Sequence, residues 1–289
     1  MSALPAGQTN EAIAKVLSES KEIAVLPQVV YKIMEMTSST DSSAAQLEKA
    51  IVIDPGFSAK ILTQANSAYY ALPRKVTSIR EAVAFLGFKT VRQLAMAVGV
   101  FDLFVGKTDK ESMRRRSWWR HSLDTAVCCR FVAEKTNRRC ADEAYTLGLL
   151  HYIGKTLLDR SNPSEYEKVM MLVEKGATDI QAERAVFGCD HIEVGAAAAE
   201  MWGFPEMLVY GMNYLEAPTE DCQYKEIRAL VGLCDKIAHI AVAGENETVQ
   251  SDEDFNNWTL ELLGVDQDDL KRLVEESTKA IAASATMSF

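Results

Sequence analysis

The sequence predicts an all-α protein. Nearly every segment repeats its apolar residues at helical spacing, and no convincing run shows the alternation of a strand. Capping and breaking residues separate the segments. Asp54-Pro55, for example, places a capping carboxylate before a proline at the first helical position. With 289 residues and 48% hydrophobic content, the chain can bury a sizeable core in one large domain or two lobes.

In the first hundred residues, each expected helix carries an apolar face. The expected helices lie at about 11–20, after Pro27, after the Asp41-Ser42-Ser43 cap, from Asp54-Pro55 towards Tyr70, at 79–86 and from Thr90 to about 104. Leu72-Pro73-Arg74-Lys75 is expected to be a loop, and Gly87 to end the fifth helix.

The next helix, from Asp109 to about Thr136, is long and apolar on more than one face, which is typical of the middle of a helical core. The later helices are expected from Asp142 through His151, at about 163–175, 179–187, 190–202, 205–215 and 224–243, and in the tail at 255–263 and 268–283. We therefore predict an N-terminal helical lobe (1–108) packed on a helical bundle (109–244), followed by an acidic C-terminal helical segment (245–289).

The net charge of −10 is unevenly spread. Residues 245–289 hold eleven acids and three bases, a net of −8, which leaves −2 for the rest of the chain. A chain without a large basic patch is a poor ligand for duplex nucleic acid, whose binding requires clustered Lys and Arg. No apolar run is long enough to cross a bilayer, and the first ten residues do not resemble a signal peptide.

The six cysteines form no CxxC pair, which favours buried thiols in a reducing cytoplasm over disulfides or a zinc knot. We therefore expect a cytoplasmic protein that does not contact membranes.

Four residues on separate expected helices are candidates for a metal site. His121, His151 and His191 are about 30 and 40 residues apart, each beside an apolar stripe, and can converge inside a bundle. Asp235 is a carboxylate in an otherwise apolar helix, so its burial requires a partner such as a metal or a histidine. The alternative is that each histidine is a core residue hydrogen-bonded to backbone.

The order of several motifs resembles the HD superfamily of metal-dependent phosphohydrolases. These are Trp118-Trp119-Arg120-His121-Ser122, Gly148-Leu149-Leu150-His151-Tyr152-Ile153-Gly154-Lys155 and Asp190-His191-Ile192-Glu193-Val194-Gly195. Upstream anchors resemble more closely the HDOD (HD-related output domain) family, and the likeness covers about residues 22–215. These anchors are Leu26-Pro27, Asp54-Pro55, Leu62, Ala65-Asn66-Ser67-Ala68-Tyr69-Tyr70, Ser78-Ile79, Ala82 and Leu86-Gly87.

The resemblance implies a set of ligand positions and one departure from them. His121 matches the first histidine of the HD pattern, His151 the histidine of the His-Asp doublet, Asp235 the distant aspartate, and His191 an extra histidine of two-metal relatives. Tyr152 stands where the doublet has its aspartate. A phenol with a pKa of about 10 must lose a proton to bind an ion at neutral pH, and its ring fills space that an ion and its water need.

Downstream, Asn213-Tyr214 stands where two-metal relatives carry paired histidines. A two-metal mechanism is therefore not expected, whereas a single-metal site from His121, His151 and Asp235 stays open.

Two further stretches have both a functional and a structural interpretation. The run 113–120, which includes Arg120, mixes bases with aromatics as nucleotide contacts do, but it equally fits a helix start with inward tryptophans. In the second stretch, Asn66, Ser67, Tyr69 and Tyr70 are either a partner or ligand contact or a helix end that packs across the lobe seam.

The resemblance implies a bacterial signal-transduction module, and we expect a stand-alone one because the chain has no room for an accompanying signalling domain. We expect it to be non-catalytic, without a cofactor, and to bind a signalling protein or a nucleotide-like ligand. The alternative is a metal-dependent phosphohydrolase or phosphodiesterase that holds a single divalent ion.

Overall fold

The computed structural model describes residues 6–19, 28–38, 43–105, 108–136, 138–214, 224–243 and 257–285. Within these ranges the regular elements are α-helices and one short 3-10 turn, and no strand is present, which confirms the all-α prediction. Leu26-Pro27 and Asp41-Ser42 lie outside the described residues. None of the described helices has the length and apolar character needed to cross a membrane.

The helices up to residue 104 pack mainly around the last of them. They are α1 (Ala6–Glu19), α2 (Gln28–Ser38), α3 (Ala44–Val52), α4 (Pro55–Ala65), α5 (Ile79–Leu86) and α6 (Phe88–Phe104), with the 3-10 turn Ala68–Tyr70 after α4. Helices α2 to α5 pack against neighbours within this set and against α6, whereas α1 packs against two helices of the following bundle, Ile153–Ser161 and His191–Met201. The lobe boundaries stay a prediction.

The following helices form the bundle and the C-terminal segment. They are α7 (Asp109–Lys135), α8 (Ala141–Leu150), α9 (Ile153–Ser161), α10 (Pro163–Glu174), α11 (Asp179–Phe187), α12 (His191–Met201), α13 (Glu206–Gly211), α14 (Lys225–Ala243), α15 (Asn257–Leu263) and α16 (Gln267–Ser284). Helix α7 contacts α6, α8, α14 and α16, so it lies in the middle of the core as its apolar faces predict.

Local sequence explains the helix ends. The Asp54 carboxylate accepts hydrogen bonds from the backbone N–H groups of Gly56 (2.8 Å) and Phe57 (3.0 Å), which confirms this helix start. Gly87 has φ 83°, and its N–H donates to the Val83 carbonyl (2.9 Å), so it ends α5. Helix α6 then begins at once, at Phe88 rather than at Thr90.

The structure corrects the expectation of one helix through His151. Helix α8 ends at Leu150 and α9 begins at Ile153, so His151 and Tyr152 form the turn between them. Two close approaches hold this turn in place. A Cβ on Gly148 would lie 2.5 Å from the Ala126 Cα of α7, and one on Gly154 would lie 1.8 Å from the His191 carbonyl oxygen. Only glycine therefore fits on either side of the turn.

The C-terminal segment docks on α7. The Arg120 guanidinium donates to the Ser284 Oγ (3.0 Å) and carbonyl (3.4 Å) and to the Ile281 carbonyl (3.5 Å) in the last turn of α16, while it also pairs with Asp124. A cation at a helix C-terminus is favourable because unpaired carbonyls carry partial negative charge there. Arg120, a candidate ligand contact, thus joins α16 to α7.

Candidate functional site

Three parts of the bundle supply the residues that surround one carboxylate oxygen. Helix α7 supplies His121, the α8–α9 turn supplies His151, and α14 supplies Asp235. The His121 Nε2 lies 2.8 Å from the Asp235 Oδ1, with hydrogen-bond geometry. The His151 Nε2 lies 3.3 Å from the same oxygen. All three residues are almost fully buried. The structure thus brings together these three candidates.

A fourth residue, His239, joins this group from one helical turn beyond Asp235. Its Nε2 is 3.8 Å from the Asp235 Oδ1, and its ring stacks on His121 with centroids 4.1 Å apart. The ligand atoms of His121, Asp235 and His239 all lie within 4.8 Å of one another. The side chain of His239 is 57% exposed, so it forms the solvent-facing edge of the site. Sequence reasoning did not select His239, although its four-residue spacing from Asp235 was a usable signal.

Tyr152 lies among all four histidines of the chain. Its ring centroid is 4.2 Å from that of His151, 4.7 Å from His121, 5.5 Å from His191 and 6.5 Å from His239. Its hydroxyl is within hydrogen-bond distance of the His239 Nε2, at 3.1 Å. Tyr152 is 6% exposed, so the ring fills the interior between these imidazoles.

The phenol of Tyr152 is held in its protonated form. Burial raises its pKa well above 10, and the negative charges of Asp235, Asp179 and Glu183 raise it further. A neutral phenol supplies no charge to hold a cation. The Lys155 ammonium lies 4.0 Å from the ring centroid and pairs with Asp179 at 2.8 Å, so its charge is already balanced.

The His151 ring has a fixed tautomer. Its Nδ1 lies 2.7 Å from the Gly148 carbonyl oxygen, which can only accept, so Nδ1 carries the proton. In the neutral ring Nε2 then presents a lone pair. That atom is buried without a hydrogen bond of acceptable geometry, although the Asp235 Oδ1 is only 3.3 Å away. The Asp235 carboxylate therefore has a second close imidazole neighbour beside His121.

His191 is held apart from this group. Its Nδ1 lies 2.6 Å and its backbone N 2.9 Å from the Glu183 Oε2, and the Tyr166 hydroxyl donates to the other Glu183 oxygen at 3.1 Å. Glu183 is fully buried. The sequence singled out His191 but not its carboxylate partner, eight residues earlier in α11. The His191 Nε2 has no hydrogen-bond partner, and the His191 ring lies in ring contact with Tyr152, with centroids 5.5 Å apart.

Burial and hydrogen bonding determine the charges of His121 and Asp235. Burial lowers the pKa of His121 to about 4, although Asp235 opposes the shift. Burial also raises the pKa of Asp235, but its contacts with His121 and His151 outweigh this and bring it well below the ordinary value. At neutral pH we therefore assign an Asp235 carboxylate that accepts a hydrogen bond from a neutral His121 imidazole.

This set of donors fits one cation and not two. Asp235 supplies one carboxylate oxygen, and the imidazoles of His121, His151 and His239 lie around it. Among the described residues, the group of mutually close ligand atoms contains no second carboxylate to bridge a further ion.

Most contacts of the Asn66–Tyr70 candidates stabilise the local fold. The Asn66 amide donates to the Leu62 and Val76 carbonyls (2.8 and 2.9 Å) and accepts from the Val76 N–H (2.8 Å), so it closes the loop after α4. The Tyr69 and Tyr70 rings meet edge to face at 4.8 Å, and both are half-buried. Ser67 keeps a buried hydroxyl without a partner.

The basic and aromatic run 113–120 is directed largely inward. Arg114 and Arg115 both pair with the fully buried Asp159, and Trp118 and Trp119 are buried. These contacts favour the structural interpretation of the run.

Solved structures share this fold over nearly the whole chain. An HDOD domain protein with unknown function from Geobacter sulfurreducens has a TM-score of 0.80 and 24% identity, covering 96% of this chain and 97% of that chain. A putative signal transduction protein from Marinobacter aquaeolei VT8 has a TM-score of 0.77 and 21% identity, covering 97% and 65%. A putative phosphohydrolase from Shewanella amazonensis SB2B has a TM-score of 0.72 and 24% identity, covering 95% and 98%.

Sequence comparison extends this likeness. An uncharacterized protein of Treponema pallidum (strain Nichols) is 26% identical over 227 residues, which are 74% of this chain but 42% of that protein. The chain therefore spans less than half the length of this curated relative. The sequence model of the HDOD domain matches residues 23–218. Because this match covers more than half of the chain, the chain belongs to the HDOD domain family.

Proposed function

We propose that this chain is a signalling module that acts by binding rather than by hydrolysis. The observation that carries the proposal is the buried, protonated Tyr152, which fills the space beside His151. Hydrolysis assisted by a metal requires an ion that lowers the pKa of a water or holds a phosphate oxygen. A neutral ring at this position contributes neither charge nor room for an ion with its water.

The proposed contact surface for a signalling protein or a nucleotide-like ligand is the lobe seam, defined as the partly exposed residues Tyr69, Tyr70 and Arg130. Burial is the main reason why the pKa of Tyr70 is raised. Tyr69 and Arg130 lie close enough to Tyr70 to shift this pKa as well. Arg130 donates to Gln93 of α6 at 2.5 Å, and its side chain is 37% exposed. Tyrosine and arginine are enriched at protein interfaces, which supports a binding role for the seam. The free thiols of the described cysteines support a cytoplasmic location.

A second candidate function is a single-metal phosphohydrolase. It is favoured by the convergence of His121 and His151 on the Asp235 Oδ1. In that case these three residues would hold the ion, which when bound supplies an activated water or a grip on the phosphate.

One assay separates the two candidates. Hydrolysis of bis-p-nitrophenyl phosphate is measured with Mn²⁺, Mg²⁺, Co²⁺ or Zn²⁺, using wild type and Asp235→Asn. A binding module should give no turnover above that of the free ions. Turnover by the wild type that Asp235→Asn lacks would establish the phosphohydrolase and refute the binding module.

A further inference from the structure

We infer that the lobe seam, together with the neighbouring Tyr145, is a binding site for the phosphate group of a small ligand. The inference rests on the proposed function, because it names the chemistry of the ligand that the seam binds. It also assigns a role to Tyr145, a buried residue of α8 that lies outside the motifs of the family resemblance.

A chain of hydrogen bonds holds Arg130 in place at the seam. Its Nη1 donates to the Gln93 Oε1 at 2.5 Å, and the Gln93 amide donates to the Asp142 Oδ1 at 2.9 Å. Arg92 pairs with the same carboxylate, and both Gln93 and Arg92 are buried on α6. Among the described acids, Arg130 pairs with Glu134 at 3.3 Å, but the Glu134 side chain is 58% exposed. Such an exposed pair is weak, so the guanidinium is oriented yet still able to bind an anion.

Three phenols lie around this guanidinium. The Tyr69 and Tyr70 rings meet edge to face with centroids 4.8 Å apart. Burial raises the pKa of Tyr70 and of Tyr145, and the positive charge of Arg130 opposes this rise in both, so the guanidinium lies near both hydroxyls. Tyr145 also lies one turn along α8 from Asp142, on the side of that helix that supports Arg130.

The hydroxyls of Tyr70 and Tyr145 are donors without an acceptor. Among the described residues neither hydroxyl has a hydrogen-bond partner. Because their pKa values are raised, both phenols keep their protons at neutral pH. A buried donor without an acceptor is unfavourable, and the oxygens of a phosphate supply acceptors as well as a charge opposite to that of Arg130. The partly exposed Tyr69, Tyr70 and Arg130 give such a ligand a route from solvent.

The loop after α4 fixes the positions of the two seam tyrosines. The Asn66 amide closes this loop through its hydrogen bonds with the Leu62 carbonyl and with the backbone of Val76. Ala71, directly after Tyr70, has φ 44°, a left-handed conformation that costs free energy in a residue with a Cβ. Backbone strain of this kind is concentrated at ligand-binding sites, where the surrounding structure maintains it.

The test is isothermal titration calorimetry of the full chain with adenosine monophosphate, inorganic phosphate and adenosine. Arg139 and Tyr210 are exposed and serve as matched controls for the arginine and the tyrosine. Circular dichroism checks that each variant is folded. The proteins compared are wild type, Arg130→Gln, Tyr145→Phe, Glu134→Gln, Arg139→Gln and Tyr210→Phe.

We expect adenosine monophosphate to bind at one site per chain, and adenosine to bind at least about tenfold more weakly because it lacks the charged group. Arg130→Gln should weaken binding of adenosine monophosphate by at least about tenfold, since it removes a charge-assisted contact. Tyr145→Phe keeps the ring and removes one donor, so it should weaken binding by about fivefold. Glu134→Gln removes the competing acid and should tighten binding by about twofold or more. Both controls should match the wild type.

The absence of binding by either phosphate compound would overturn the inference, as would equal affinities of Arg130→Gln and Arg139→Gln or of the nucleotide and adenosine. These failures leave the proposed binding function standing with a signalling protein as the ligand, whereas phosphodiester turnover would refute that function itself. Inorganic phosphate that binds as tightly as adenosine monophosphate would support a site for free phosphate, and tighter binding of the nucleotide would support a site for a phosphate ester.

Discussion

Replacing Tyr152 with aspartate should open space for a metal ion beside His151. The folded protein should then depend on that ion for its stability. Tyr152 is 6% exposed and in ring contact with four histidines, so its loss empties a large buried volume. Removing a buried aromatic ring costs about 3–5 kcal/mol. At roughly 2 °C per kcal/mol for a chain of this size, the melting temperature should fall by about 6–10 °C. The new carboxylate near Asp235 adds repulsion in the metal-free protein.

A divalent ion should reverse much of this loss in Tyr152→Asp. At a concentration of 100 Kd, a ligand that binds only the folded state contributes about 2.7 kcal/mol, or roughly 5 °C here. Thermal unfolding is followed by circular dichroism with and without Mn²⁺, and Tyr152→Ala serves as the control because it loses the ring without gaining a carboxylate. If Mn²⁺ raises the melting temperatures of both variants equally, Tyr152 does not occupy a metal position and our reasoning is wrong.

Three further predictions concern stability. Gly154→Ala should lower the free energy of unfolding in urea by at least about 1–3 kcal/mol, because its Cβ would lie 1.8 Å from the His191 carbonyl oxygen. Arg120→Ala should accelerate amide hydrogen exchange in the last turn of α16 and cost about 1–2 kcal/mol, because it removes the hydrogen bonds to Ser284. Lowering the pH from 6.5 to 4 should destabilise the protein by about 3 kcal/mol, because His121 takes up a proton in this window when unfolded but not when folded, where its pKa is about 4.

Each of these predictions has a matched control. In Gly195→Ala the only contact closer than ordinary packing is with the flexible tip of Met212, at 2.7 Å, so equal losses in both glycine variants would refute the backbone clash. Arg116→Ala removes an exposed arginine of α7 and should leave α16 unchanged; equal exchange rates in the two arginine variants would exclude the docking role of Arg120. His121→Asn should show a weaker pH dependence between 6.5 and 4 than the wild type, and an unchanged slope would mean that other groups account for it.

Most of the fold could be predicted because local signals and tertiary packing agree. Asp54-Pro55 starts a helix through contacts within three residues, and Gly87 ends one through its own positive φ. The break between α8 and α9 could not be predicted in this way. It depends on the close approach of Gly148 to α7 and of Gly154 to the start of α12, which are contacts between segments distant in sequence.

The candidate site could be predicted only in part, because the neighbouring sequence marks some of its residues and not others. His121, His151 and Asp235 stand out as polar residues in apolar helical segments, and the structure brings them together. His239 is exposed, so apolar surroundings did not mark it. The separation of His191 from the group depends on Glu183, a buried acid whose partner no local pattern indicates.

Anomalous scattering from crystals grown with Mn²⁺ would show whether Tyr152 occupies the place of a hydrolytic metal ion. We predict no manganese peak between His151 and Tyr152, and a Tyr152 ring that remains in contact with His121 and His151. A manganese peak bound by His151 and Asp235, with the Tyr152 ring displaced, would contradict the account.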